Sequence, residues 1–241
     1  MAWLKRKKTI AWGIVVALGL VVAVLILEWP KIAHGMMVIA GKRAVAEHIV
    51  TPIDLTSYYG SVAANMERSS SLWGKVPWEF QVFHHVPLQL DGMIYLWGAG
   101  NARKGAVFPD KVLGIVMNQT FQTLYVYHCT FFVSTPNTPV YDLVFRYQDG
   151  DSATNTVRYD TDVLDFNTAK AKKIKGPTGQ NSKLAWSGDT FTYYGKMRFC
   201  LTAIQNPRPD VEVTSIDLFS SKNESAGVIF AMTAGRSGLM K

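Results

Sequence analysis

The chain has 241 residues, of which 48% are hydrophobic and 18% charged, so it can build an apolar core and is not disordered throughout. Its two cysteines exclude a disulfide-dense scaffold and a zinc ribbon. The formal net charge is +7, but four basic residues cluster at positions 5–8 and the remaining 21 face 18 acidic residues, so a nucleic-acid partner is not expected.

The amino-terminal residues predict a membrane anchor. Residues 1–8 form a basic cytoplasmic tail, and residues 9–27 carry no charge, enough for a helix of about 28 Å. Because positive residues favour the cytoplasmic side, the sequence predicts a single-pass protein of the bacterial inner membrane with its amino terminus inside. A cleaved signal peptide is the alternative, but its apolar region is usually shorter and ends in a small-x-small site.

Residues 28–72 are predicted to form a membrane-proximal stalk. Pro30 is expected to interrupt the anchor helix, and residues 31–50 place apolar side chains roughly at helical spacing. This spacing favours a short amphipathic segment near the membrane surface, and an irregular linker is the alternative.

Residues 73–241 are predicted to form an extracytoplasmic, all-β antiparallel sandwich. Short runs rich in Val, Ile, Tyr, Phe and Thr are bounded by turn residues, without the helical crossovers that a parallel sheet needs. Asp91-Gly92 and Asp149-Gly150 are expected to make hairpin turns, and residues 167–183 a long exposed loop. The predicted strands are 79–82, 87–90, 93–96, 112–117, 123–133, 140–147, 154–159, 191–201, 211–219 and 228–233.

Several segments of this body carry a resemblance to a known family. They include WGKVPWEFQVFHHVPLQLDGMIYLWG, VYDLVFRYQDGD and IQNPRPDVEVTSIDLFSS. Together they are similar to a bacterial galactose-binding-like domain, a jelly-roll β-sandwich that resembles carbohydrate-binding modules. The resemblance covers residues 53–233 and departs from the family pattern at Asp160 and Phe166, where glycine and tryptophan are expected. It implies a jelly-roll-like fold and a glycan ligand.

Tryptophans are the candidate ligand-binding residues, because aromatic faces stack on the apolar faces of sugars. Trp97 precedes Gly98 in a predicted loop, and Trp186 begins Trp-Ser-Gly-Asp near a predicted turn. Trp73 and Trp78 are further candidates. For each of the four, a place in the core is the alternative interpretation.

Motifs of catalysis are missing from the sequence. It contains no His-Glu-x-x-His, Gly-x-Ser-x-Gly or phosphate-loop pattern, so we assign no catalytic residue and no cofactor and do not expect an enzyme. His84 and His85 are adjacent and, on a strand, would face opposite sides.

Two further groups of residues leave two interpretations each. Asp160, Asp162 and Asp165 crowd one segment, which is either a solvated acidic loop or a calcium site. Cys129 and Cys200 lie in strand-like runs and are either a disulfide, which would persist outside the cytoplasm, or two buried thiols.

Two functions follow from these features. The first is a membrane-anchored, non-catalytic binding module for carbohydrate. The second is an accessory subunit of a larger membrane complex, docking through the anchor helix and the sandwich. The expected partners are membrane lipid, reached by the anchor and by basic residues at 170–175, and either a glycan or a membrane protein.

Overall fold

The computed structural model of the chain describes residues 27–62, 73, 75–168, 173–189 and 195–240. The predicted anchor therefore lies, apart from its last residue, outside the described part, as does the basic tail. Within the described residues, no helix is both long enough and apolar enough to cross a membrane.

Residues 27–46 are helical. Pro30 lies within the first turn of the described part of this helix, and the predicted interruption of the anchor helix concerns residues outside the described part. Of the two interpretations of residues 31–50, the helical one holds as far as residue 46. The chain divides after Ala40 into two compact units, and the second extends from Gly41 to the carboxyl terminus.

In the described part of the second unit, β-strand is the main regular secondary structure. Short helical turns occur at Thr56–Tyr58 and Ala99–Ala102. The strands of the described chain are β1 (Val50–Pro52), β2 (Ser61–Val62), β3 (Glu79–Phe83), β4 (Val86–Leu90), β5 (Gly92–Tyr95), β6 (Lys111–Gln119), β7 (Thr123–Phe131), β8 (Pro139–Tyr147), β9 (Ser152–Arg158), β10 (Ser182–Asp189), β11 (Lys196–Gln205), β12 (Val213–Ser220) and β13 (Ala226–Gly235).

These strands form two main sheets and a separate hairpin. The large sheet has the order β10-β11-β7-β13-β5-β2, with β1 also paired to β13, and the small sheet has the order β6-β12-β8-β9. The pairings between these strands are antiparallel. Residues of both sheets share one apolar core, which is the arrangement of a β-sandwich. The predicted antiparallel β class is confirmed.

The boundary predicted between stalk and sandwich at residue 73 is too late. Val50 pairs with Gly235, and Ser61 pairs with Met93, so β1 and β2 both belong to the large sheet. Each strand has only two or three residues, which is too short for alternating hydrophobicity to stand out from the sequence.

A second core covers the opposite face of the large sheet. The hairpin β3–β4 and the segment around Trp73 and Trp78 pack against outward-facing residues of β7, β11 and β13. Eight of the nine residues of β7 are consequently buried, as expected for a strand covered on both faces. The molecule thus has three layers where the sequence predicts two.

One of the two expected Asp-Gly turns is confirmed. Gly150, at φ +90°, closes the hairpin between β8 and β9. Asp91-Gly92 does not make a hairpin, because β4 pairs with β3 and β5 pairs with β13; the chain changes sheet at this point. The hairpin turn between β3 and β4 is instead His84-His85.

The two histidines occupy left-handed backbone conformations, at φ +48° and +66°. Two consecutive positive φ values are what a tight hairpin turn of the favoured type requires, and glycine or asparagine usually supplies them. His84 Nε2 also lies 2.8 Å from the carbonyl oxygen of Leu184, which ties the hairpin to β10. These residues lie between the predicted strands 79–82 and 87–90, so the argument about opposite faces of a strand does not apply to them.

The ten predicted strands each overlap an observed strand, and residues 191–194 of the predicted run 191–201 lie outside the described part. The sequence did not predict β10, and the expected loop at 167–183 ends where β10 begins at Ser182. A bulge between Leu184 and Trp186 interrupts the alternation of inward and outward side chains along this strand. The strand therefore cannot be recognised from alternating hydrophobicity.

Candidate functional site

The two predicted ligand tryptophans lie apart. Trp186 is half-buried on β10 and stacks on Phe199, with ring centroids 5.3 Å apart. Trp97 is half-buried directly after β5. Because β10 and β5 are separated by four strand spacings in the large sheet, about 19 Å lies between them. The structure does not bring these two side chains to one site.

The other two tryptophans are core residues. Trp73 and Trp78 are buried in the second core, where both contact Phe230 with ring centroids about 6 Å away, at 5.9 and 6.0 Å. Their packing explains how the segment before β3 covers the large sheet.

The cysteines are both free and buried. On β11, Cys200 lies opposite His128 of β7. Cross-strand partners point to the same face and neighbours along a strand to opposite faces, so Cys129 points away from Cys200. Cys200 belongs to the core between the sheets and Cys129 to the second core. The disulfide interpretation is therefore wrong, because the two thiols lie on opposite faces of the large sheet.

A buried polar chain crosses the core between the sheets. His128 is fully buried; its Nδ1 lies 2.7 Å from the hydroxyl of Tyr141 and its Nε2 lies 2.8 Å from Oγ1 of Thr202. Thr202 donates to the carbonyl oxygen of Asp162, so Nε2–H donates to Thr202 and Tyr141 donates to Nδ1. Burial lowers the pKa of His128 to about 3. An imidazole with such a pKa is neutral at physiological pH and a weak proton acceptor.

The acidic segment is not a solvated loop. Asp165 is buried, and its carboxylate accepts a hydrogen bond from the backbone N–H of Asn167 at 2.7 Å. Asp162 is half-buried and accepts from the backbone N–H of Arg158 at 2.8 Å. Within the described residues, no three potential ligands of the His, Cys, Asp and Glu types converge on a metal position. These carboxylates instead brace the chain between β9 and β10.

An aromatic cavity of about 290 Å³ opens at the end of β7. Phe131 and Phe166 meet edge to face at 5.3 Å, and Phe132 adds a half-buried ring. The side chains that line the cavity are Asn101, Lys104, Phe131, Phe132, Asp165, Phe166 and Asn167.

Local backbone geometry places Phe132 at this cavity. Its φ of +67° is in the left-handed region, which a bulky residue rarely adopts. The ring lies over Gly100, where a Cβ would come within 2.6 Å of it. The short helix Ala99–Ala102 thus needs glycine at this position. Such unfavourable backbone conformations concentrate at ligand sites.

Polar groups of the cavity are poised to accept hydrogen bonds. The Oδ1 atom of Asn101 is buried and has no hydrogen-bond partner among the described residues, and such atoms call for a water or a ligand. Burial raises the pKa of Asp165 to about 6, against hydrogen bonding from Asn167 and the charge of Arg198. Lys104 Nζ lies 4.7 Å from the centre of the Phe132 ring and supplies a donor.

Sequence reasoning reached only part of this cavity. It selected Asp165 for calcium chemistry and Phe166 as a departure from a family pattern, and it assigned Phe131 and Phe132 to the interior of a strand. The Phe-Phe doublet at the strand end was the available signal, because one of two adjacent bulky residues must point away from a singly covered sheet face. No pattern in the sequence marked Asn101 as a site residue, because its burial results from a tertiary contact.

Comparison with known proteins adds no relative: no family model, no curated protein and no solved structure matches the chain.

Proposed function

We propose that this chain is a membrane-anchored, non-catalytic binding module of the extracytoplasmic space and that its ligand is carbohydrate. One observation carries the proposal: aromatic rings and hydrogen-bond acceptors line the same cavity. Sugars present an apolar ring face together with hydroxyl donors, and a site that recognises them needs both kinds of partner.

Each lining residue has a role in this proposal. Phe132 offers the stacking face, while Phe131 and Phe166 form the apolar wall. Asp165 and Asn101 accept hydrogen bonds from sugar hydroxyls, and Lys104 donates at the rim. Because Asp165 accepts best as a carboxylate and its pKa is about 6, ligand affinity should rise as the pH increases through 6.

The proposed setting is a jelly-roll-like, galactose-binding-like body on an uncleaved signal-anchor at residues 9–27, held at the outer face of the bacterial inner membrane. The uncharged run and the basic cluster before it support this topology. Tethering raises the effective concentration for weak contacts with envelope glycans. Mass spectrometry of the mature protein tests the anchor: a mature amino terminus beyond residue 28 would refute it.

The buried histidine supports the non-catalytic part of the proposal. In the core, two side-chain hydroxyls hold the ring of His128 by hydrogen bonds. Its low pKa suits a structural hydrogen-bond acceptor better than a general base. Turnover of any glycoside by the purified protein would contradict this assignment.

A glycan array probed with the full-length, detergent-purified protein tests the ligand class. We expect binding to a defined glycan that weakens about tenfold or more in Asp165→Asn, since one charge-assisted hydrogen bond is lost. Asp160→Asn is the matched control, because Asp160 lies on the same segment but outside the cavity. Loss of binding in Trp97→Ala or Trp186→Ala, but not in Asp165→Asn, would move the site to that tryptophan.

A second candidate function rests on the helix at residues 27–46. Trp29, Ile32, Met36 and Ile39 are exposed at spacings of three and four residues, which gives one apolar stripe. Such a stripe suits packing against a transmembrane partner, as an accessory subunit would require. A blank glycan array together with stoichiometric co-purification of a membrane protein would favour this candidate over the binding module.

A further inference from the structure

A second cavity, of about 240 Å³, is lined by Asp162, three residues before the Asp165 of the aromatic cavity. It is bordered by β9, the edge strand of the small sheet, and by β11, next to the edge of the large sheet. Its lining includes Asn155, Asp162, Asn181 and Thr202. The cavity therefore occupies the open side of the sandwich, where the edges of two sheets approach.

Asn155 presents an unused donor to this space. It pairs across β8–β9 with Leu143, which is fully buried, so both side chains point between the sheets. The Nδ2 atom of Asn155 is buried and has no hydrogen-bond partner within the described residues. An amide held between two apolar sheets without a partner costs stability, and a ligand oxygen would satisfy it.

Thr202 forms a rigid floor for the cavity. Its Oγ1 lies 2.8 Å from Nε2 of His128 and 2.9 Å from Oγ of Ser182, and it donates to the carbonyl oxygen of Asp162 at 2.9 Å. A hydroxyl bound on three sides keeps one orientation, and the neutral His128 behind it adds no charge. The floor is consequently preorganised before any ligand arrives.

The lining determines the chemistry of the occupant. No lysine or arginine side chain lies among the described residues around the cavity, so an anion would lack a partner. Asp162 supplies the one carboxylate among the described residues around the cavity, and its Oδ2 atom already accepts a hydrogen bond from the Arg158 N–H at 2.8 Å, so a cation would find too few ligands. Burial also raises the pKa of this carboxyl, which weakens its hold on a cation further.

The polar groups of the lining that are still available are the amide side chains of Asn155 and Asn181. Amides offer both donors and acceptors to neutral hydroxyl groups. The volume is below the range of about 300–1,000 Å³ that drug-sized ligands occupy. We propose that this cavity binds a single neutral pyranose ring, as a site separate from the aromatic cavity. Asn155 donates to a ring hydroxyl, and Asn181 closes the rim.

Ligand-observed NMR on the full-length protein in detergent, with a panel of neutral monosaccharides as the probes, tests this site. Probes at about 10 mM would nearly fill a site with a Kd of about 1 mM. We expect saturation transfer to at least one pyranose, with an affinity that falls about tenfold in Asn155→Leu while the melting temperature stays the same or rises, since a buried unpaired donor is removed.

Two controls make the result specific. Thr154→Val changes a neighbouring, exposed residue of the same strand and should leave binding intact. Asp165→Asn weakens the glycan site proposed above, so the saturation transfer that persists in this variant, and that is lost when Asn155→Leu is added to it, belongs to the present cavity. Should Asn155→Leu fail to fold, Asn181→Ala replaces it, because Asn181 is exposed and its backbone oxygen, which accepts from the Ala203 N–H, stays in the variant. Absence of transfer to every pyranose, or binding unaffected in both Asn variants, would overturn the proposal.

Discussion

The two faces of the large sheet bury different kinds of side chain. The inner face shares its core with the small sheet and contains the chain Tyr141–His128–Thr202, in which each polar atom finds a partner. The outer face, under the β3–β4 hairpin, is packed with aromatic rings and leaves the Tyr127 hydroxyl without a partner among the described residues. One set of strands thus supports a hydrogen-bonded core on one side and an aromatic core on the other.

Whether a residue occupies an odd or an even position along a strand decides which of the two cores surrounds its side chain. Along β7, Val126 and His128 face the inner core, while Tyr127 and Cys129 face the outer one. A bulge on β13 then changes the parity, so that Phe230 and the following Ala231 both join the outer core. Variants on the two faces should accordingly behave differently.

The largest effect is expected from Phe230→Ala, which breaks the outer core. Phe230 is fully buried, and its ring lies 4.7 Å from that of Phe199 and 5.8 Å from that of Tyr127. The free energy of unfolding should fall by about 3–5 kcal/mol, because the cavity cannot close. Urea denaturation measures it, and Val107→Ala is the control, because Val107 is 95% exposed. A loss under about 1 kcal/mol would mean that the third layer is not packed cooperatively.

Removing one tyrosine hydroxyl from each face should change the free energy of unfolding differently. Tyr141→Phe leaves Nδ1 of buried His128 unpaired, and we expect a loss of about 1–3 kcal/mol in unfolding free energy. Tyr127→Phe removes a buried hydroxyl that has no described partner, so its effect should be neutral or stabilising. Thermal denaturation of the two variants under the same conditions checks this, and equal destabilisation would erase the proposed difference between the faces.

The pH dependence of stability should also separate the two sides. Burial lowers the pKa of His128 from 6.5 to about 3, so the unfolded state binds the extra proton and stability falls as pH drops from 6.5 to 3. Burial raises the pKa of Asp165 from 3.8 to about 6, so here the folded state binds the extra proton and stability falls as pH rises from 3.8 to 6.

Asp165→Asn isolates the second of these contributions. The variant should be more stable than the parent at pH 7, by about 1–3 kcal/mol, and should lose this advantage near pH 4. Denaturation at both pH values measures the difference. An advantage that is equal at the two values would show that Asp165 does not titrate between them.

The smallest effect is expected from reduction. With Cys129 and Cys200 on opposite faces of the large sheet, a reducing agent should leave the melting temperature unchanged. Burial raises the pKa of Cys200 to about 12 and the pKa of Cys129 well above its usual value, so neither thiol should react with a disulfide reagent in the native protein, and both should react after unfolding. A mobility difference between reduced and non-reduced samples in denaturing gels would contradict this.

Local patterns in the sequence were sufficient for most of the strands. In β8, Tyr141, Leu143 and Phe145 alternate with more polar residues, and all three are fully buried. Gly150 provides the positive φ that the following turn needs. Such features depend on neighbours within a few residues, and the sequence displays them directly.

The sequence by itself determined an antiparallel β body, most of its strands, and an uncharged amino-terminal run long enough to span a bilayer. Pairing over long range decided the rest. It placed β1 and β2 in the large sheet, separated Cys129 from Cys200, made a turn of His84-His85 and brought Asn101 to Asp165 across more than sixty positions of sequence. The physical reason is that register and layer stacking are set by which surfaces bury the most apolar area together, and no short window of sequence contains both surfaces.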